Sequence, residues 1–400
     1  MNIHRRLKMP KEPIENNFDR VIRRDGTSSL KYDARREVFG REDVVPLWVA
    51  DMDFAVPEAV QRALTQRAAH PVFGYTIYPE SLYESLMLWL DTCHGWRIER
   101  ASILFCPGVV PSLHACIMAL TQPGDGVIVQ PPVYAPFLAA PQTCGRRLLT
   151  NPLKLEGGRY RFDLDDLERC AEEGGRLLIL CSPHNPVGRV WLRKELQALL
   201  AVCERHGIAV VSDEIHADLI YPGYQHLPLA TLNDKVKIVT AAAPSKTFNI
   251  PGLGLSALVV PEASDRKAIT QAFETLHVSA SNPFSIAAFE AAYREGAPWL
   301  DALLDYLAVT RDMVREFLQQ QLPQIRMIEP EGTYLLWLDC RALGLNDKQL
   351  KYFFVQKAGV GLSPGAMFGT EGSGHMRMNI GAPRNVIKQA LENIAAALRG

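Results

Sequence analysis

The chain contains no apolar run approaching the roughly 18 residues that a membrane-spanning helix needs. It also carries no excess of either charge: 43 Lys and Arg against 44 Asp and Glu leave a formal net charge of −1. The first absence argues against a helical membrane partner. The second removes the broad positive field with which proteins gather nucleic acid. The eight cysteines, at 93, 106, 116, 144, 170, 181, 203 and 340, include no CxxC pair, and several sit in apolar runs. That pattern reads as reduced core thiols of a cytoplasmic enzyme. The ten histidines show no HExxH or other metal-ligand spacing, so a metal site has no support. There is no internal repeat and no low-complexity tract. The opening stretch MNIHRRLKMPKEP is basic but lacks the apolar core of a secretory signal, and reads as a loose arm.

What is present is an ordinary globular composition, 48% hydrophobic and 22% charged, in a chain of 400 residues, long enough for two or more domains. Residues 1–45 are polar and poorly periodic, as expected of an arm wrapping the body. Across 46–282, short apolar runs (GVIVQPP, RLLILCSP, GIAVVSDE, KIVTAA) alternate with helix-like segments such as PSLHACIMALTQPG and RKELQALLAVCERHG. Such alternation predicts a large α/β domain with a mostly parallel sheet flanked by helices. The second helix should stop at Gly207. Across 283–400 the pattern changes. One long amphipathic helix is expected through SIAAFEAAYREG and WLDALLDYLAVTRDMVREFLQQQL. Strand-like TYLLWLDC, a helix near KQLKYFFVQKAG, strand-like HMRMNIG and a terminal helix NVIKQALENIAAALR follow. This is the signature of a smaller α+β domain.

Three polar residues close three consecutive strand-like runs. Asn185 follows LLILC in SPHNPVG, Asp213 ends GIAVVSDEIH 28 residues later, and Lys246 follows VKIVTAAA after a further 33. Strand ends of this kind line the rim of an α/β sheet, where such sheets bind ligands. A carboxamide, a carboxylate and an amine are also what a pyridoxal 5'-phosphate site requires. The lysine forms the Schiff base, the acid keeps the pyridinium nitrogen protonated, and the amide bonds the phenolic oxygen. Each residue has a plainer reading beside this one. Lys246 could be a surface charge, Asp213 a helix cap and Asn185 a turn residue. ILFCPGVVPSLHACIMAL reads as strand, glycine turn and helix, so the N–H groups of Val109 and Val110 could cradle a phosphate, with Ser245 adding a hydroxyl. Tyr134, in QPPVYAPF, could stack on a cofactor ring or serve as a core aromatic. Arg377, in HMRMNIG, could face solvent or grip a substrate carboxylate with its planar fork.

Taken together, NPVG, SDEIH, SKTF and RMNIG, in this order and spacing, resemble the fold-type I pyridoxal phosphate enzymes of the class I/II aminotransferase superfamily. The resemblance covers nearly the whole chain. It implies that Lys246 is the Schiff-base lysine, Asp213 the pyridinium partner, Asn185 a ring-oxygen contact, Tyr134 the stacking ring and Arg377 the carboxylate anchor. Tyr75, in FGYT, resembles the tyrosine that reaches the phosphate of a neighbouring subunit, which implies a homodimer with shared active sites. NFDRVIRRDGTSSLKYD, PLWVADMDFAVPEAV, SPHNPVGRVW, VSDEIHADLIY and APSKTFNIPGL resemble one branch more closely, the MalY/PatB-type cystathionine β-lyases or C–S lyases, with WVADMDF the most specific run. Two departures from the general aminotransferase pattern stand out, and the second agrees with that branch. His216 stands where many members have a tyrosine, and Gly254 stands where many have a phosphate-binding arginine. His216 could hydrogen-bond near the ring as a cofactor contact, or pack and support it.

The branch implies α,β-elimination on cysteine S-conjugates such as L-cystathionine, giving a thiol, pyruvate and ammonia. Lys246, Asp213 and Arg377 would equally serve an aminotransferase acting on an amino acid and a 2-keto acid. A cofactor-binding regulator without turnover is a third reading, opposed by the complete set of reactive residues.

Overall fold

A computed structural model of the chain describes residues 17–279 and 282–399, so the basic stretch at positions 1–13 lies outside the described residues. Its centre is a seven-stranded sheet. The order across it is Ile103–Cys106, Ser256–Val259, Ile238–Ala242, Ala209–Asp213, Gly175–Cys181, Gly126–Val129, Arg147–Thr150. Ser256–Val259 runs antiparallel to both its neighbours, and every other adjacent pair is parallel. This is the mostly parallel sheet that the alternating runs predict.

The strand residues are almost all apolar because both faces are covered, and the period of two divides them between two cores. Val127, Val129, Leu177, Ile179 and Val211 pack with the helices Val109–Leu120, Ala135–Thr143 and Ala263–Thr275. Ile128, Leu178, Leu180 and Val210 point the other way, onto Leu164–Glu172 and Arg193–His206. The last of these helices stops as expected at Gly207, whose φ of 65° is left-handed and whose N–H closes on the Cys203 and Glu204 carbonyls.

A second sheet is antiparallel throughout, in the order Arg326–Ile328, Leu335–Asp339, His375–Asn379, Ser363–Pro364. It shares a core with the helices Ala297–Gln321 and Arg384–Arg399. The single long helix expected after residue 283 is two helices, Pro283–Glu295 and Ala297–Gln321, broken at Gly296. Pro298 explains the restart, since it lacks an N–H and is tolerated only in a first helical turn. Gly296 is needed for packing: a Cβ there would come within 2.4 Å of the Phe248 ring and 2.3 Å of the Ala292 carbonyl oxygen.

A buried ion cluster joins the two sheets. The Glu331 carboxylate accepts from Arg189 Nη1 at 2.6 Å and from the Val190 N–H at 2.8 Å, and pairs with Arg159 at 2.7 Å. The Gly188 carbonyl accepts from the N–H groups of both Glu331 and Gly332. The loop after Asn185 is thereby fixed to the segment that leads into Tyr334. Among the described residues no helix is long and apolar enough to cross a membrane, and no group of three or more His, Cys, Asp or Glu side chains could hold a metal ion. All eight cysteines are free thiols.

Gly296→Ala should lower stability by about 1–3 kcal/mol, the usual cost of overpacking a tight contact. A matching drop in the guanidinium unfolding midpoint, with an unchanged slope, is the expected result.

Candidate active site

The three central strands Gly175–Cys181, Ala209–Asp213 and Ile238–Ala242 lie side by side, with Cys181 opposite Asp213 and Asp213 opposite Ala241. Because they are parallel, their carboxyl ends deliver Asn185, Asp213 and Lys246 to one edge of the sheet. Lys246 sits on the short helical turn Pro244–Thr247. Its side chain does not project into bulk water: Nζ donates to the Ala50 carbonyl at 2.8 Å. Lost hydration, with repulsion from Arg377, pushes its pKa down to about 8.

Asp213 is buried, and no helix follows it, so it caps nothing. Its Oδ1 accepts from the Ile215 N–H at 3.2 Å. Desolvation nevertheless dominates and pushes the carboxyl up to about 7, against the pull of that bond and of Lys246. No ion pair engages Asp213 among the described residues. It is a buried acid short of a cation.

Arg377 is buried on the strand His375–Asn379 rather than solvent-facing. Its Nη1 donates to Asn185 Oδ1 at 3.0 Å, and its Nη2 to the Trp48 carbonyl at 2.7 Å and Ser363 Oγ at 3.2 Å. Its Nε has no partner, and burial pushes its pKa down to about 10. The Asn185 contact ties the two sheets together at the site. His216 is buried, with its ring centroid 6.3 Å from that of Tyr334 and with Nδ1 unpartnered. Burial pushes it down to about 3, so it is a neutral imidazole at working pH. Tyr134 immediately precedes the helix Ala135–Thr143, remains 36% exposed, and lies within electrostatic reach of Arg377 and Asp213.

Val109 and Val110 form the first turn of the helix Val109–Leu120, after Gly108 with φ 128°. First-turn N–H groups have no intrahelical acceptor and carry the positive end of the helix dipole. The preceding strand, Ile103–Cys106, runs in the same sense as Ile238–Ala242, so this helix starts at the same edge of the sheet. Ser245 is half-buried beside Lys246. Gly254 adopts φ +54°, and a Cβ there would lie 3.6 Å from the Pro107 carbonyl oxygen. An L side chain such as arginine is disfavoured in that backbone. Tyr75 stands apart from all of these, fully exposed in the irregular stretch 71–79.

Sequence reasoning missed the segment Trp48–Phe54 as a structural part of the site. The Trp48 and Ala50 carbonyls accept from Arg377 and Lys246. Asn379 Nδ2 holds the Val49 and Asp51 carbonyls, each at 2.6 Å. Asn249, three residues after Lys246, bonds the Met52 N–H and the Met52 and Phe54 carbonyls. Tyr334, whose hydroxyl reaches the Ala50 carbonyl at 2.9 Å, was also missed. The conspicuous run WVADMDF signalled the segment, but not that its backbone oxygens face the reactive side chains.

The residues present fit pyridoxal 5'-phosphate. A buried, unpaired carboxyl suits a cationic ring N–H, an amine of depressed pKa suits an aldehyde, and free first-turn N–H groups suit a phosphate. This geometry defines a class. The sequence model described as aminotransferase class I and II matches residues 42–394, and the chain belongs to that family. Within the family it is 43% identical over 385 residues to the cystathionine beta-lyase PatB of Bacillus subtilis (strain 168), an alignment covering 96% of this chain and 100% of that protein. It is 32% identical over 386 residues to the protein MalY of Escherichia coli (strain K12), covering 96% and 98%. The crystal structure of cystalysin from Treponema denticola, which contains a pyridoxal 5'-phosphate cofactor, matches with a TM-score of 0.93 at 34% identity, covering 96% of this chain and 98% of that one. The fold is therefore that of the fold-type I transferases.

A carboxyl raised from its ordinary 3.8 to about 7 holds a proton in the folded chain that the unfolded chain has released. Its contribution to stability is complete below pH ~4 and is lost as pH rises towards 7, then stays level. In the ligand-free protein, the stability difference between wild type and Asp213→Asn should therefore move in favour of the variant across pH 4–7. Urea titrations of both proteins across that range check the sign.

Proposed function

We propose that this chain is a pyridoxal-phosphate-dependent carbon–sulfur β-lyase. Its substrates are L-cystathionine and related cysteine S-conjugates, and its products are a thiol, pyruvate and ammonia. The observation that carries the reading is the pairing of an unpaired buried acid, Asp213, with a low-pKa amine, Lys246, on adjoining strand ends. The identity to PatB along the whole chain and the left-handed Gly254 support the lyase within the family.

Bound pyridoxal phosphate supplies an aldehyde for covalent capture of an amino group and a cationic ring that accepts the electrons left on Cα. The protein's residues do the rest. Asp213 would hold a proton on the ring nitrogen, its own carboxyl being charged beside that positive group. Asn185, held at 3.0 Å by Arg377, presents its amide to the ring oxygen. Tyr134 would stack on the ring, and Val109, Val110 and Ser245 would hold the phosphate. Arg377, with a spare N–H at Nε, grips the substrate carboxylate and so fixes Cα above Lys246. Lys246, with a pKa near 8, supplies far more neutral amine at neutral pH than an ordinary lysine, and takes the Cα proton as general base. The departing thiolate is a good leaving group, since its conjugate acid has a pKa of roughly 8.5. His216, buried and neutral, would support the ring by packing.

The reading includes a homodimer. Val72, Phe73, Tyr75 and Ile77 are exposed apolar or aromatic side chains in one irregular stretch, a surface suited to burial against a second copy. Tyr75 then reaches the phosphate of the neighbouring subunit. The eight free thiols favour a cytoplasmic location. Residues 46–282 and 283–400 act as the two domains of this reading, with residues 17–45 as the described part of the arm.

Incubation with cystathionine and no keto-acid acceptor should release pyruvate continuously. A single equivalent per site, with the cofactor left in its amine form, would identify an aminotransferase instead. Lys246→Ala should lose the visible absorption of the bound cofactor and more than about a thousandfold of the turnover rate.

A further inference from the structure

The Ala50 carbonyl oxygen receives two donors, Lys246 Nζ at 2.8 Å and the Tyr334 hydroxyl at 2.9 Å. It cannot drift towards either. The carbonyls on both sides of it, Val49 and Asp51, are held by Asn379. Arg24 holds the Asp51 carboxylate at 2.8 Å, and the fully buried Lys31 holds Asp53 at 2.8 Å. Tyr334 is itself buried, and Ala50 is its hydroxyl's only hydrogen-bond partner among the described residues.

A bond from an ammonium to a carbonyl is about twice as strong as one from a neutral amine, so a free carbonyl here would favour the protonated lysine. A carbonyl already polarised by a second donor gives the ammonium less. We propose that Tyr334 is a positioning residue for Lys246: by occupying the shared Ala50 carbonyl, its hydroxyl keeps the amine neutral and fixes the direction of its lone pair. The proposal rests on the reading of Lys246 as the reacting amine. Arg377, Asp51 and Asp213 are the charged groups facing Lys246, and His216 and Tyr334 are its neutral titratable neighbours. In Tyr334→Phe every one of them but the hydroxyl stays in place.

The test uses the full chain stripped of cofactor, with acetylation of Lys246 by acetic anhydride followed at a series of pH values by peptide mass spectrometry. Lys246 is half-buried, so the reaction is run to long times at each pH. In Tyr334→Phe the midpoint of Lys246 reactivity should rise by roughly half to one pH unit, the scale of one neutral hydrogen bond. Tyr160→Phe is the control, since it removes a buried hydroxyl bonded to Trp337 at 3.2 Å rather than to Ala50. It should leave the midpoint unchanged. In the loaded enzyme, the acid limb of the pH–rate profile should move in the same direction. An unshifted midpoint in Tyr334→Phe, or an equal shift in both variants, overturns the proposal. A wild-type Lys246 that titrates like an ordinary surface lysine would overturn the reading of Lys246 itself, which keeps the two failures distinct.

Discussion

A carboxyl group withdrawn from water and left without a cation is a costly feature, and the centre of this protein is arranged around one. Asp213 sits where the most buried strands of the large sheet end, flanked by apolar neighbours on both sides. Nothing among the described residues neutralises it by direct contact. The nearby positive groups, Lys246 and Arg377, are themselves desolvated and each is driven towards its neutral form. The site thus holds an unmet demand for positive charge at one end and an unmet capacity for covalent attack at the other. A ring that is cationic at one end and aldehydic at the other meets both demands.

The arrangement depends on a scaffold from both sheets. The large sheet alone supplies the amine, the acid and the amide. Arg377 arrives from the antiparallel sheet, and the segment Trp48–Phe54 threads between the two. That segment acts through its backbone: four successive carbonyls, from Trp48 to Asp51, each accept a side-chain hydrogen bond from Arg377, Asn379 or Lys246. Its acidic side chains, Asp51 and Asp53, are anchored by Arg24 and Lys31 from the N-terminal part of the chain. The Arg189–Glu331 cluster fixes a further seam, so the reactive groups are held from several directions.

Much of this was legible because the signals were local. Asn185, Asp213 and Lys246 each stand at the end of a strand-like apolar run, and parallel strands align their ends. Gly207 announced a helix stop through its position after RKELQALLAVCERH. Other features had no local signal. The amphipathic period continues smoothly across Gly296, so two helices read as one, and the Phe248 ring packed against Gly296 is distant in sequence. Tyr334 looked like any strand aromatic in TYLLWLDC. The Ala50 carbonyl is a backbone atom, and a backbone acceptor leaves no trace in residue type. Burial of Arg377 was equally hidden, because strand alternation alone does not say which face a second sheet will cover.

The left-handed turn at Gly254 bears on how readily this scaffold could be redirected to another chemistry. Many relatives of the aminotransferase type carry a guanidinium at the equivalent place. Here the left-handed backbone at Gly254, which closes a tight turn after Pro251–Leu253, disfavours any L side chain. Exchanging one codon would put a strained side chain into the loop, at a cost of about 1–2 kcal/mol. Part of this scaffold's commitment is thus stored in the path of its main chain rather than in its side chains.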